Sequence, residues 1–447
     1  MTLLQRVPRR LIQLTCFVGA IVLVWPLVPW AIAPRYFQEV SPFVSFSSSI
    51  AARSVGVGLV FAIVVAVVSS FKKRWFCLYL CPTGFLLENT SHIGLRRNRW
   101  WGKVPPVGRY VAILTLAGSV VGYPVLLWMD PLCIFSSPFA MNKATNPYSV
   151  VLVSLGLGTL VGATFLFGML WCVRICPLSG LQDMLYLSRR ALWRRLTGSA
   201  SDRKPAGAIG RSGSAADLVK ISGASASTAA AGASRSGSNQ RNPVPPQKFR
   251  ESRRVFFAGV GGVLLAFGAR RLGAARYRKS DVLLRPPGAV PEDRFAGLCI
   301  RCNNCVHSCP SKIIHPDTGR EAGLAGFGAP VIRFDRDYHY CLETCNACTE
   351  VCPTGALTAL PLKEKNKYVI GEALVDNNIC LTVLGKKECD ACEIACPYDA
   401  IKITWDEQAY TAYPAIDLNK CTGCGACQVA CPTSPVKAIR VWTLKSA

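Results

Sequence analysis

Residues 299–310 read Cys299-Ile300-Arg301-Cys302-Asn303-Asn304-Cys305-Val306-His307-Ser308-Cys309-Pro310, and this stretch decides the fold of the last third of the chain. Its cysteines are separated by two, two and three residues and are followed by proline, which is the spacing of bacterial cluster-binding runs. Three such thiolates can reach one [4Fe–4S] cubane, while the cysteine before proline ligates a neighbouring cluster. Motifs of this kind are therefore expected in pairs.

Three further cysteine motifs follow at intervals of about forty residues. The fourth motif repeats the first spacing, and the two inner motifs widen only the first gap. The further motifs are Cys341, Cys345, Cys348 and Cys352; Cys380, Cys389, Cys392 and Cys396; and Cys421, Cys424, Cys427 and Cys431. With the first motif they predict four [4Fe–4S] clusters in an α+β domain of two dicluster ferredoxin-like units. Zinc sites and disulfides are disfavoured because each motif ends in Cys-Pro in the same tight order.

The pairing of these motifs has two solutions. The outer motifs match each other and the inner motifs match each other, which favours nested pairing, outer with outer and inner with inner. This region also resembles the four-cluster beta subunits of the dimethyl sulfoxide reductase family, and the resemblance implies the nested arrangement. The alternative is sequential pairing, first with second and third with fourth, and either gives a line of clusters.

The first half of the chain predicts membrane-spanning helices. The whole chain is 51% hydrophobic with a mean hydropathy of +0.28, more apolar than a soluble protein normally is. Four stretches are long and apolar enough to cross a bilayer, namely Leu11–Ala33, Val55–Phe71, Tyr110–Trp128 and Ser149–Trp171. Buried helices of a soluble core are the disfavoured alternative. We expect a four-helix membrane bundle.

The net charge of +25 lies outside the cysteine-rich region, where 17 Lys/Arg balance 19 Asp/Glu from Asp281 onward. The excess of basic residues precedes the first predicted span, joins the second to the third and follows the fourth. The positive-inside rule therefore places both ends of the four-helix unit in the cytoplasm. Basic residues beside apolar spans are explained by the orientation of the spans in the membrane. The positive charge therefore does not predict a nucleic-acid partner.

Two identical motifs follow alternate spans. They are Cys77-x3-Cys81-Pro82 after the second span and Cys172-x3-Cys176-Pro177 after the fourth, and the topology places them at the cytoplasmic face. The four cysteines could bind a fifth [4Fe–4S] cluster or act as a dithiol pair. Buried structural cysteines at helix ends are the third interpretation.

The remaining segments divide the chain into a membrane domain (1–196), a Ser/Ala/Gly-rich cytoplasmic linker (197–251), a signal or anchor segment (252–280) and the cluster domain (281–447). The third segment opens with Ser252-Arg253-Arg254-Val255-Phe256-Phe257 and resembles a twin-arginine export signal. Such a signal implies that the export machinery carries the folded, cluster-loaded domain to the periplasm. The alternative is a short anchor helix that never carries the domain across.

Paired Cys-x3-Cys-Pro motifs after alternate helices resemble the NapH/MauN-type quinol-dehydrogenase membrane subunit, and the C-terminal region resembles the NapG/MauM-type four-cluster ferredoxin. The chain therefore looks like a fusion of two subunits. The resemblance implies a multi-pass protein of the bacterial inner membrane that passes electrons from the quinol pool to a periplasmic reductase or cytochrome. A membrane-tethered polyferredoxin facing the cytoplasm, an electron adaptor or assembly factor, is the alternative. One departure leaves the electron route open, because the linker lacks the ferredoxin motifs that usually end this membrane subunit.

Asp130 is a weaker candidate. It follows the third span at its outer edge, where a carboxylate could take a proton from quinol, and an interfacial helix cap is the alternative. No nucleophile–base arrangement is found, so the sequence predicts no catalytic residue apart from the redox centres.

Overall fold

The structure of the chain is a computed structural model in which eight segments are described. They are residues 3–25, 33–94, 104–139, 147–197, 252–277, 283–334, 339–407 and 410–443. The linker predicted over 197–251 lies outside these segments apart from its first residue. The described residues are mostly helical, with short strands only in the cluster domain.

The N-terminal unit is helical throughout. Its helices are α1 (Leu3–Val24), α2 (Ala33–Glu39), α3 (Pro42–Ala52), α4 (Gly58–Phe71), α5 (Trp75–Tyr79), α6 (Pro82–Ile93), α7 (Val107–Val120), α8 (Pro131–Ser136), α9 (Pro147–Phe167) and α10 (Pro177–Leu196). A 3₁₀ turn over Leu127–Met129 precedes α8, and a π-helical turn over Trp171–Ile175 precedes α10.

One pattern of helix starts recurs in the two halves of the unit, α1–α6 and α7–α10. In each half a short helix and the helix after the Cys-Pro motif begin with proline, which has a suitable φ and no N–H to leave unpaired. The halves meet at these helix starts. The Ser41 hydroxyl donates to Asp130 at 2.6 Å, and the Thr83 hydroxyl donates to the Pro131 carbonyl at 2.7 Å.

The apolar helices are shorter than the spans predicted from hydropathy. Helices α4 and α7 have 14 residues each, or about 21 Å, where a full crossing takes about 20 residues. The third predicted span continued to Trp128, but α7 ends at Val120 because Gly122 takes a φ of +84°. By length and composition one helix of the described segments, Arg254–Leu272, is long and apolar enough to cross a membrane.

That helix belongs to α11 (Ser252–Tyr277), which packs along α7. Small residues make the contact: a β-carbon at Gly262 would overlap the Leu114 carbonyl, and one at Gly118 would lie 3.4 Å from Ala266. Close backbone approach through small residues is typical of helix pairs in membranes. At its far end, the Arg270 guanidinium donates to the Val121 carbonyl at 2.9 Å and pairs with Asp293 at 2.5 Å.

The cluster domain combines short helices with three two-stranded antiparallel sheets. Its helices are α12 (Glu292–Leu298), α13 (Asn304–Ser308), α14 (Gly323–Gly326), α15 (Ala347–Glu350), α16 (Leu362–Lys365), α17 (Ala391–Ile394) and α18 (Ala426–Ala430). The strands are β1 (Ile314–Pro316), β2 (Pro330–Ile332), β3 (Glu372–Val375), β4 (Ile401–Asp406), β5 (Thr411–Ile416) and β6 (Ile439–Trp442). They pair as β1–β2, β3–β6 and β4–β5.

Candidate iron–sulfur centres

Two sets of four cysteines form within the first half of the cluster domain. Cys299, Cys302 and Cys305 lie close enough to Cys352 for their charges to interact, and we name these four set A. Set B surrounds a cavity of about 340 Å³ and consists of Cys309, Cys341, Cys345 and Cys348. Each set thus takes three cysteines from one motif and the Cys-Pro cysteine of the other.

The second half of the domain repeats this exchange. Set C surrounds a cavity of about 380 Å³ and consists of Cys380, Cys389, Cys392 and Cys431. Set D surrounds a cavity of about 290 Å³ and consists of Cys396, Cys421, Cys424 and Cys427. In every set a motif's first three cysteines meet the last cysteine of its partner motif, as expected of a dicluster unit.

The nested pairing that we favoured is therefore wrong, and sequential pairing is observed. The first motif exchanges its Cys-Pro cysteine with the second, and the third exchanges with the fourth. The physical reason is that each pair of consecutive motifs folds into one compact unit. Likeness of spacing between the inner motifs does not bring them into contact around one cavity.

The four sets follow one another in the order A, B, D, C. Sets A and B share the first two motifs, and sets D and C share the last two. Sets B and D meet where the backbone N–H of Cys341 donates to the Cys424 carbonyl at 2.9 Å. The Ile370 N–H donates to the Thr422 carbonyl at 2.8 Å beside this contact, so the two dicluster units form a continuous row.

The chemistry of each set fits a [4Fe–4S] cluster. Burial raises the pKa of Cys341 and of Cys392 to about 11, so these thiols need a bound cation to lose their protons near neutral pH. Cluster iron supplies that charge. Backbone N–H groups already point at sulfur, from Leu357 to Cys352 and from Ala400 to Cys396, both at 3.3 Å. Within the described segments no three His, Cys, Asp or Glu side chains converge on a single-ion site.

The four cysteines of the N-terminal unit also come together. Cys77 lies close enough to Cys81, Cys172 and Cys176 for their charges to interact, and we name these four the membrane set. The Gln182 amide donates to the Cys77 sulfur at 3.3 Å, and the Gly84 N–H donates to the Cys81 sulfur at 3.4 Å. Two helix ends thus supply one four-sulfur site.

Two members of this set, Cys81 and Cys176, lie in the packed interior of the N-terminal unit. The chain reverses at Lys72–Arg74, where Arg74 takes a φ of +56°, and α6 then runs back along α1. Side-chain contacts follow that course, with Phe85 against Phe17 near the start of α6 and Glu88 against Arg9 further on. As a result Cys81 and Cys176 are buried in a core formed with α3 and α8.

The membrane set adjoins set A through α8. Cys133 is buried in the same core as Cys81, Cys176 and Cys302, and its charge would interact with those of Cys299 and Cys302. Buried polar contacts hold the junction together. Ser137 donates to the Arg301 carbonyl at 3.1 Å, Asn303 donates to Ser137 at 2.9 Å, and Asn304 donates to Gln38 at 3.1 Å.

Asp130 acts as the cap of α8. Its two carboxylate oxygens accept from the Ser41 hydroxyl at 2.6 Å and from the Leu132 N–H at 2.9 Å, and the residue is fully buried. Both oxygens are occupied and the side chain has no opening to lipid or water. The geometry therefore favours the capping interpretation over proton uptake from quinol.

Comparison with known proteins gives the class of the chain. The family model described as a 4Fe-4S dicluster domain matches residues 298–356 and 387–434. The model described as a 4Fe-4S binding domain matches residues 55–102 and 150–195, which contain the membrane set. The chain is therefore an iron–sulfur protein of the ferredoxin type, with cluster-binding sequence in both halves.

Individual relatives narrow this class. The methylamine utilization ferredoxin-type protein MauM of Methylophilus methylotrophus is 36% identical over 184 residues, which are 40% of this chain and 79% of MauM. The ferredoxin-type protein NapG of Escherichia coli is 36% identical over 178 residues, 37% of this chain and 71% of NapG. The chain belongs to the family of MauM and NapG. No solved structure matches it significantly.

Replacing both Cys77 and Cys172 by serine tests the membrane set. We expect iron in anaerobically purified protein to fall from about 20 to about 16 ions per chain, because one four-iron cluster loses two ligands. The measurement is iron per chain by elemental analysis, and Cys16→Ser in α1 is the control with no expected change. An unchanged count in the double variant would support the dithiol or structural interpretation instead.

Proposed function

We propose that the chain is a quinol-dehydrogenase module in which a NapH/MauN-like membrane unit and a NapG/MauM-like ferredoxin are fused. In this proposal it carries four clusters in sets A to D and a fifth in the membrane set. Electrons from membrane quinol leave through the cluster domain to a periplasmic reductase or cytochrome. The observation that most supports this proposal is the junction at Cys133, where the membrane set adjoins set A.

That junction offers an electron route although the linker lacks the ferredoxin motifs that usually end this kind of membrane subunit. A membrane set at the cytoplasmic face would need ferredoxin motifs there to receive electrons, and the linker has none. A set buried against α8 adjoins the cluster domain directly. Iron–sulfur clusters carry one electron at a time when bound. The protein keeps their sites in a row, excludes water from set A and holds the junction together with buried hydrogen bonds.

The surface of the N-terminal unit supports residence in a membrane. Large apolar side chains are exposed along α4 and α11, including Val60, Phe61, Val64, Phe256 and Leu264. Rows of exposed apolar side chains along a helix indicate that the helix faces a membrane or a protein interface and not water. We propose that α1, α4, α7 and α9 cross the bilayer with local thinning or re-entrant segments completing the short helices, and that α11 is a fifth membrane helix.

The position of the cluster domain supports a periplasmic location. The domain contacts α2, α3 and α8, which lie in the connections that carry few basic residues. The basic residues Lys72, Lys73 and Arg74 lie at the other end of α4. By the positive-inside rule these two ends face opposite compartments, so the domain is expected outside the cytoplasm.

Substituting lysine for both Arg253 and Arg254 tests this location. Charge is preserved but the paired guanidinium groups are lost, so we expect the domain from Asp281 onward to stay in the cytoplasm. In spheroplasts, added protease should digest this domain in wild type and leave it protected in the variant. The control variant has lysine in place of Arg189 and Arg190, two consecutive arginines in α10.

Two outcomes would contradict the proposal. Equal protease sensitivity of variant and wild type would show that the Arg-Arg motif does not direct export. Full protection of the wild type would place the clusters in the cytoplasm, and the membrane-tethered polyferredoxin would become the better account.

A further inference from the structure

Residues 1–196 contain four carboxylates, Glu39, Glu88, Asp130 and Asp183. Three of them are closed off by packing. Asp130 is fully buried, the Asp183 side chain is 2% exposed and paired with Arg74, and the Glu39 side chain is 5% exposed and paired with Arg35. Glu88 differs because 23% of its side chain is exposed. It is the one carboxylate of this unit that a ligand can reach from outside.

Glu88 belongs to a small polar group between α1 and α6. Its carboxylate accepts from the Arg9 guanidinium at 3.0 Å and from the Gln13 amide at 3.1 Å. The Gln13 amide also donates to the Leu78 carbonyl at 3.0 Å, which ties the group to the backbone next to Cys77. The group lies at the polar ends of the two helices, where Arg10 also donates to Asn89 at 3.0 Å.

A second observation points to a missing ligand in this group. Gln13 is 4% exposed, and its Oε1 atom is buried without a hydrogen-bond partner among the described residues. A buried carbonyl oxygen left unpaired costs free energy unless a donor reaches it. A ligand hydroxyl that reached this oxygen on binding would supply that donor.

The surroundings fit a lipid-soluble ligand with a polar head. Leu78, whose carbonyl accepts from Arg9 at 3.3 Å, exposes part of its side chain, and so do Leu11 and Leu14 on α1. Glu88 also lies close enough to Cys172 for their charges to interact. A headgroup held at Glu88 would thus have apolar surface on one side and the membrane set on the other.

We propose that Glu88, Gln13 and Arg9 form the headgroup site for the membrane quinol, an inference that rests on the proposed function. Oxidation of one quinol to quinone breaks two O–H bonds and releases two protons and two electrons. A [4Fe–4S] cluster held by the membrane set would accept the two electrons one at a time. Glu88 accepts one proton, releases it to water beside Arg9 and accepts the second, while Gln13 Oε1 accepts a hydrogen bond from the quinol hydroxyl.

The test separates binding from proton transfer. The probe is 2-heptyl-4-hydroxyquinoline N-oxide, a fluorescent quinol analogue whose emission is quenched on binding, titrated into the purified full-length protein. Gln13→Met keeps the side-chain length and should weaken probe binding at least about tenfold, because the acceptor Oε1 is lost together with the amide hydrogen bonds that hold Glu88 and the Leu78 carbonyl. Glu88→Gln should change probe affinity less than about threefold but slow quinol-driven cluster reduction about a hundredfold.

Asn89→Ala, next to Glu88 on α6, is the control for both measurements, and iron per chain shows that each variant is folded. Saturable quenching with the expected split between the two variants supports the site. Wild-type affinity in Gln13→Met and wild-type reduction rates in Glu88→Gln would overturn the site while the proposed function stands. If the wild type neither quenches the probe nor is reduced by quinol, the proposed function itself fails.

Discussion

A chain carrying both Cys299→Ala and Cys352→Ala is expected to lose one cluster, about four iron ions, which is no more than either single substitution removes. The two cysteines belong to different motifs, but the structure places both in set A. Removing a second ligand from a cluster that is already lost changes nothing further. The measurement is iron per chain, together with the integrated spin intensity of the dithionite-reduced protein.

The matched control combines Cys352→Ala with Cys389→Ala. These residues belong to sets A and C, so the pair should remove two clusters, about eight iron ions. Nested pairing predicts the reverse, because Cys352 would then share a cluster with the third motif. A loss of about eight iron ions from the Cys299/Cys352 double variant and of about four from the Cys352/Cys389 double variant would contradict the sequential arrangement.

Cysteine spacing carried most of the information about the cluster domain. Ligands separated by two and three residues must lie on tight turns around one centre, so the run from Cys299 to Cys309 predicts local geometry directly. The partner of each motif depends on contacts between segments far apart in sequence, such as Cys309 with Cys341. Spacing contains no information about those contacts, and the nested prediction was wrong for that reason.

Hydropathy located the apolar helices but not their ends. A sliding window extends a span through any apolar turn, and so it continued past Gly122, where the backbone leaves the helix. It also treated the Cys-Pro motifs as the ends of crossings. The reversal at Arg74 and the return of α6 depend on packing against α1, so the burial of Cys81 could not be predicted from composition.

The choice between carboxylates shows the same limit. Asp130 was singled out because it follows a predicted span, and the structure turns it into a buried helix cap. No motif singles out Glu88, because it lies within a polar stretch after a Cys-Pro motif. Scarcity was the available signal, since residues 1–196 contain only four carboxylates, but scarcity alone does not reveal which of them is accessible.

The largest effect is expected when quinol is the reductant. Wild-type protein in anaerobic liposomes should lose its visible cluster absorption after addition of a reduced short-chain quinol. The variant with Cys77→Ser and Cys172→Ser should not, because its cluster domain is intact but the membrane set that adjoins set A is lost. Dithionite added afterwards should reduce the remaining clusters of the variant, which shows that they are present and competent.

This experiment tests the central claim most directly, because the claim is that quinol electrons reach sets A to D only by way of the membrane set. The account predicts a fall of at least a hundredfold in the quinol-driven rate, with the dithionite-reducible absorption of the cluster domain unchanged. Reduction of the variant by quinol at the wild-type rate would contradict it.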